Sequence, residues 1–249
     1  MKVRIFHHGR CFDGCCSAAV FQRFYRECFD QSAEFIFTPL LHQSGPIFDE
    51  RQFNGDENVI VDFKYSSSPA VTWWFDHHLS AFLSPEDRAH FHFHRERRFY
   101  NPHAKSCAGW IAMIAERDFG FNIAPLQEML SWADVVDSAN YDSPAAAVDL
   151  QSPAVKIALA IEAMPDEDFS QNIISMLAYE SLEQIVRSPL VRSVLPGLMA
   201  QHESSFHTFR KRVEYRNRVV YFDRTRRSKN RPRTGARARV RGGVKGVHP

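Results

Sequence analysis

The chain has 249 residues, 44% hydrophobic and 13% aromatic, with a formal net charge of +2 at pH 7; that length suits one large domain or two small ones with a sizeable core. No run approaches the roughly 18 apolar residues that cross a membrane, and the opening MKVRIFHHGR lacks a signal-peptide stretch, so a cytoplasmic protein without membrane attachment is expected. Ten of the 31 Lys and Arg fall in residues 224–249, which hold no acid; the remaining body is acidic, which excludes a basic body built to hold nucleic acid.

Taken in chain order, residues 2–8 (KVRIFHH) read as a short buried strand and residues 15–29 as a helix with Ala18, Phe21, Phe24, Tyr25 and Phe29 on one side. Strands are expected at 33–40, at 58–63 (NVIVDF) and at 71–76 (VTWWFD), the last two being apolar runs that include or end in Asp. His90, His92 and His94 alternate in HFHFH and would share one solvated face of a strand. Residues 106–118 form a helix with Ser106 as N-cap and Gly120 just past its end. Strands alternating with helices predict an α/β fold with an open parallel sheet.

Beyond about residue 122 the pattern is helical. The segment from about 168 to 216 is expected to break at Pro189 and Pro196. A last strand is expected at 218–223, followed by a disordered basic tail over 224–249. This divides the chain into an α/β domain over 1–190, a helical linker and the start of a C-terminal domain over 191–223, and the tail. Five cysteines, an odd number without a C-x-x-C spacing, read as reduced and mostly buried thiols. A zinc site from His8, Cys11 and Cys15 or Cys16 lacks a second ligand pair of the usual spacing.

The polar clusters share one placement. His8 and Asp13 follow the first strand, Asp62 ends the third and Asp76-His77-His78 ends the fourth. Open α/β sheets bind ligands beyond the carboxyl ends of their strands. Asp13-Gly14 alone is an ordinary turn, and Asp62 alone a strand-end cap. Three adjacent polar side chains at a strand end are costly to bury unless satisfied. Carboxylates with a few imidazoles suit Mn²⁺, Mg²⁺ or Fe²⁺, and such clusters activate water for attack on phosphorus.

In order and spacing, HHGRCFDGCCSAAVF, VIVDF, WWFDHH and SWADVVDSANY resemble the four motifs of the DHH phosphoesterase superfamily over about residues 1–190. The resemblance implies a centre of one or two Mn²⁺ or Mg²⁺ ions. His8 would bind the first ion, Asp13 and His77 the second, and Asp62 both. Asp134 or Asp137 would complete the shell, with Asp134 preferred. His78 would contact the scissile phosphate and Asp76 would orient the histidine pair. The implied substrate is a phosphodiester or phosphomonoester of a nucleotide or short oligonucleotide. The alternatives are an inorganic poly- or pyrophosphatase and a non-catalytic nucleotide- or protein-binding module.

Arg10 stands where this family usually has an aspartate ligand. Arginine has no lone pair to give. It is either a phosphate clamp or the mark of a lost metal site. His7 is a replacement ligand only if strand alternation, which points it away from His8, is broken. Tyr141 is expected to pack against the fourth motif. The family's second, substrate-holding domain carries a glycine-rich G-G-H signature; here Gly242-Gly243 is followed by Val244. The basic tail is thus read either as a nucleic-acid contact made through phosphates or as the product of truncation or an out-of-frame reading. The oligomeric state is not legible.

Overall fold

The computed structural model describes residues 1–45 and 47–222; the expected basic tail lies outside the described residues. A five-stranded sheet has the order β2-β1-β3-β4-β5, from β1 (Lys2–His8), β2 (Glu34–Leu40), β3 (Glu57–Val61), β4 (Trp73–Asp76) and β5 (Arg98–Tyr100). Every pairing is parallel, as the alternation of strands and helices predicts.

Parallel strands covered on both faces read as continuous apolar runs, and Val59, Ile60, Val61, Trp73, Trp74 and Phe75 are all fully buried. Alternation divides them between two cores. Val3, Ile5, Val59, Val61, Trp73 and Phe75 pack with α1 (Phe12–Cys28) and α3 (Cys107–Phe119). Phe6, Ile60 and Trp74 face Phe63, Tyr65 and Phe91 on the other side. The Trp74 indole N–H donates to the Phe63 carbonyl at 2.9 Å, so this large ring is buried without an orphaned donor.

The N-terminus of α1 closes tightly on the end of β1. A Cβ on Gly14 would lie 2.2 Å from the His8 carbonyl oxygen. Glycine is therefore required here by a close backbone approach rather than by an isolated turn. Ser106 caps α3 by accepting from the Gly109 N–H, and Gly120 ends it in the left-handed region at φ 69°, as expected.

Two expectations are corrected. The HFHFH stretch belongs to a helix, α2 (Pro85–Phe93), not a strand. Ser84 as N-cap, Pro85 at its start and Glu86 and Asp87 in the first turn launch it, and local alternation does not overcome those signals. Only Phe91 is buried, whereas Phe93 is 84% exposed. The helical region past residue 122 comprises α4 (Gln127–Asp137), α5 (Pro153–Ala163), α6 (Glu167–Leu177), α7 (Leu182–Arg187) and α8 (Pro189–Arg212). The segment does break before Pro189, which starts α8, whereas Pro196 sits inside α8 and does not break it. A first-turn proline lacks only an N–H that has no intrahelical partner.

The chain divides into a first compact unit ending at Gln201 and a second beginning at His202. The second contains an antiparallel pair, β6 (Glu214–Arg216) and β7 (Val219–Tyr221). Asn217 and Arg218 between them both have positive φ, 49° and 66°, as a two-residue hairpin turn of the I′ type demands.

Candidate metal centre

The sheet register gathers the site. His7 pairs with Val61, and Val61 with Phe75, so β1, β3 and β4 end at one level. His8, Asp62 and Asp76 follow as neighbours at their carboxyl ends. Asp62 adopts φ 57°, a left-handed conformation that Asp tolerates better than most residues, while its N–H remains bonded to the Phe75 carbonyl at 2.9 Å.

Asp62 is fully buried and lies at the centre. Its Oδ2 is 3.4 Å from His8 Nδ1, and its Oδ1 is 3.5 Å from His77 Nε2 and 3.7 Å from His78 Nδ1. His77 Nε2 also faces Asp13 Oδ2 at 3.8 Å and Asp137 Oδ2 at 3.3 Å. The other nitrogen, His77 Nδ1, meets the Ala104 carbonyl at 3.0 Å. Donating there fixes the ring, so that Nε2 points inward and offers a lone pair once it has given up its proton. Asp13 is anchored by the start of α3, where the Cys107 and Ala108 N–H groups donate to its two oxygens at 2.7 and 3.0 Å. Asp76 accepts from the His77 N–H, the His78 N–H and His78 Nδ1 at 2.8, 3.2 and 2.7 Å.

The donors fit a cation. Both oxygens of Asp62, His8 Nδ1 and His77 Nε2 are buried and have no hydrogen-bond partner among the described residues. Buried polar atoms are almost always satisfied, and a metal ion satisfies four such atoms pointing at one another. Three donor sets lie within 4.8 Å: His8, Cys11 and Asp62; Asp62, His77 and His78; Asp13, His77 and Asp137.

The electrostatics agree. Burial, then the charges of Asp62 and Asp137, push the Asp13 carboxyl well up. Burial and Asp62 raise Asp137 as well. Burial opposes ionisation of Asp62, but the approach of His77 and His8 outweighs it and holds this carboxyl down. For His77, burial favours the neutral ring, yet Asp62, the Ala104 carbonyl and Asp13 lift it to about 10. His78 is raised chiefly by its hydrogen bond to Asp76. Crowded carboxylates that share protons with imidazoles in this way are a cluster short of positive charge.

His8, Asp13, Asp62, Asp76, His77, His78 and Asp137 are brought together. Asp134 is not: its Oδ1 accepts from the Ser106 hydroxyl at 2.6 Å and lies 2.8 Å from where a Cβ on Gly109 would be. Of the two acids left open for the shell, it is Asp137 and not the preferred Asp134 that faces His77. Arg10 is exposed, at φ 57°. His7 is fully buried, with Nδ1 3.2 Å from the His8 carbonyl oxygen, consistent with strand alternation. Tyr141 lines a cavity of about 220 Å³ with Trp132 and Val135 of α4. Cys11, weighed in the sequence only as a zinc ligand with His8 and Cys15 or Cys16, falls in this cluster beside His8 and Asp62, without Cys15 or Cys16.

A five-stranded parallel sheet flanked by helices, with His and Asp at its strand ends, is an α/β phosphoesterase-like fold. No family profile matches the chain, and no curated protein matches it. Among solved structures it is similar to the pGpG-specific phosphodiesterase PggH from Vibrio cholerae, with a TM-score of 0.60 and 16% identity over 88% of this chain and 67% of that one. The chain shares the fold of that phosphodiesterase, which bears out the motif resemblance at the level of fold. No helix among the described residues is long and apolar enough to cross a membrane.

Proposed function

We propose that the protein is a metal-dependent phosphoesterase that hydrolyses phosphodiester or phosphomonoester bonds of nucleotides or short oligonucleotides. The observation that carries this reading is Asp62, a fully buried carboxylate with two unpartnered oxygens, one toward His8 and one toward His77. His8 and Asp62 would hold one ion, and Asp13, Asp62, His77 and Asp137 the other, as Mn²⁺ or Mg²⁺. Bound cations lower the pKa of water and neutralise charge on phosphoryl oxygens.

The chain's own groups supply the rest. Asp76 fixes His78 and favours its protonated form, so that the ring donates to a phosphate oxygen. The Ala104 carbonyl keeps the His77 ring turned inward. Exposed Arg10 offers its planar fork to a second phosphate oxygen. The likeness to a pGpG-specific enzyme puts a linear dinucleotide first among substrates.

The test is product formation from a linear dinucleotide, a phosphodiester dye, 3′-phosphoadenosine 5′-phosphate and diphosphate with Mn²⁺ or Mg²⁺, beside Asp62→Ala. Turnover of a nucleotide substrate that the substitution abolishes supports the reading. Turnover of diphosphate alone makes it an inorganic phosphatase. Arginine at the position of an expected acidic ligand favours a second reading, a binding module. Ligand binding without turnover in the folded protein would establish that reading.

A further inference from the structure

Cys11 occupies the N-cap of α1, yet its side chain makes no capping hydrogen bond. Ser, Thr, Asp and Asn are the residues that cap well, so capping does not account for a thiol here. Its Sγ instead lies within 4.8 Å of a ring nitrogen of His8 and of an Asp62 oxygen. The Asp62 oxygens and His8 Nδ1 are buried and unpartnered among the described residues. His8 Nδ1 and Asp62 Oδ2 stand 3.4 Å apart, close to the roughly 3.3 Å between two donors bound at about 2.0–2.1 Å around a tetrahedral ion. Cys15 and Cys16, by contrast, are buried in the apolar core. The neighbouring Arg10 is exposed and has no lone pair to offer.

We propose that Cys11 is a metal ligand, and that the His8–Cys11–Asp62 set selects Co²⁺, Zn²⁺ or Fe²⁺ over Mg²⁺ and Mn²⁺. This rests on the metal-centre reading above and alters which metal it predicts. Thiolate ligands favour softer ions, whereas carboxylate and water suit Mg²⁺ and Mn²⁺. The second set, Asp13, His77 and Asp137, offers only oxygen and nitrogen. The two positions therefore differ in preference, and the one containing Cys11 is the more selective. Coordination replaces the S–H bond with a sulfur–metal bond and releases the proton to solvent. Burial and the charges of Asp62 and Asp13 push the Cys11 thiol well up in the metal-free protein, so its proton would leave only as a cation takes its place.

The experiment is a Co²⁺ titration of the full chain, followed by absorption and calorimetry, beside Cys11→Ser, Cys11→Asp and Cys28→Ser. The wild type and Cys28→Ser should show a near-ultraviolet sulfur-to-cobalt band. Both Cys11 variants should lack it while still binding Co²⁺ through the remaining donors. The preference for Co²⁺ over Mn²⁺ should fall about tenfold or more in Cys11→Asp. Serine is a good N-cap, so Cys11→Ser keeps the fold. Co²⁺ binding to the wild type without a sulfur band, or a band that persists in Cys11→Ser, overturns the Cys11 assignment and leaves the metal centre standing. A wild type that binds no divalent ion overturns both.

Discussion

His77 holds its Nε2 3.3 Å from Asp137 Oδ2 while its opposite nitrogen is tied to a backbone carbonyl. The end of α4 thus reaches the histidine that follows β4, and the last residue of that helix becomes part of the site. Asp134, one turn earlier, is committed to Ser106.

These two acids should separate cleanly on substitution. Asp137→Ala is expected to weaken divalent-metal affinity about 10- to 100-fold and to leave the melting temperature of the metal-free protein unchanged or raised, since a crowded, half-buried carboxylate is removed. Asp134→Ala should cost about 1–2 kcal/mol of folding stability through the lost Ser106 hydrogen bond, with a smaller effect on metal affinity. Calorimetric titration and denaturant unfolding of both variants check this. Equal loss of metal affinity in the two would refute the assignment.

Asp76 should act through His78. The Asp76 hydrogen bond raises His78 above its ordinary pKa, so the protonated ring persists to higher pH than a free histidine would allow. Asp76→Asn removes the charge and should move the alkaline loss of activity to lower pH. The rate at the optimum should drop about 10- to 100-fold, as when a supporting carboxylate is removed from a functional histidine. A kcat–pH profile reads both effects. A lower rate with an unmoved profile would mean that Asp76 is structural only.

Metal binding should release protons near neutral pH. His77 is lifted to about 10 in the metal-free protein, so its Nε2 carries a proton at pH 7 that a cation must displace. Apparent affinity should therefore rise with pH up to about 10, by at most about tenfold per unit from this group. Titrations in buffers of different ionisation heat count the protons released. His77→Asn should release fewer.

His7 sets an acid limit on the fold. Burial lowers its pKa from 6.5 to about 4. The unfolded chain therefore binds the proton first as pH falls, and stability is full above about 6.5 and declines between 6.5 and 4. The loss is about 3 kcal/mol by linkage. Denaturant unfolding of the metal-free protein between pH 7 and 4 should show it, and His7→Gln should flatten that slope. An unchanged slope would assign the acid sensitivity to the carboxylate cluster.

Much of the fold was legible because parallel strands announce themselves. VIVDF and WWFDHH are apolar runs bounded by acids, and the Ser106 and Gly120 caps fixed α3 at both ends. The HFHFH stretch was misread because alternation over five residues competes with a helix start several residues upstream. Ser84, Pro85, Glu86 and Asp87 carried that information. As a helix it stacks His90 on His94 with ring centroids 4.3 Å apart, the i,i+4 relation that α geometry imposes.

The sequence by itself determined which residue types end the strands or open the helix after β1, and so the chemistry available: His8, Asp13, Asp62 and the Asp76-His77-His78 run. Tertiary structure alone decided the membership of the cluster. Asp134 and Asp137 are three residues apart, so they share a helix face and differ by about 4.5 Å along the axis. Periodicity cannot choose between positions on one face; the packing of α4 beside α3 does, by giving Asp134 to Ser106 and Asp137 to His77. Arg10 and Cys11 are adjacent, and only the backbone path after β1 leaves the arginine in solvent and the thiol beside Asp62.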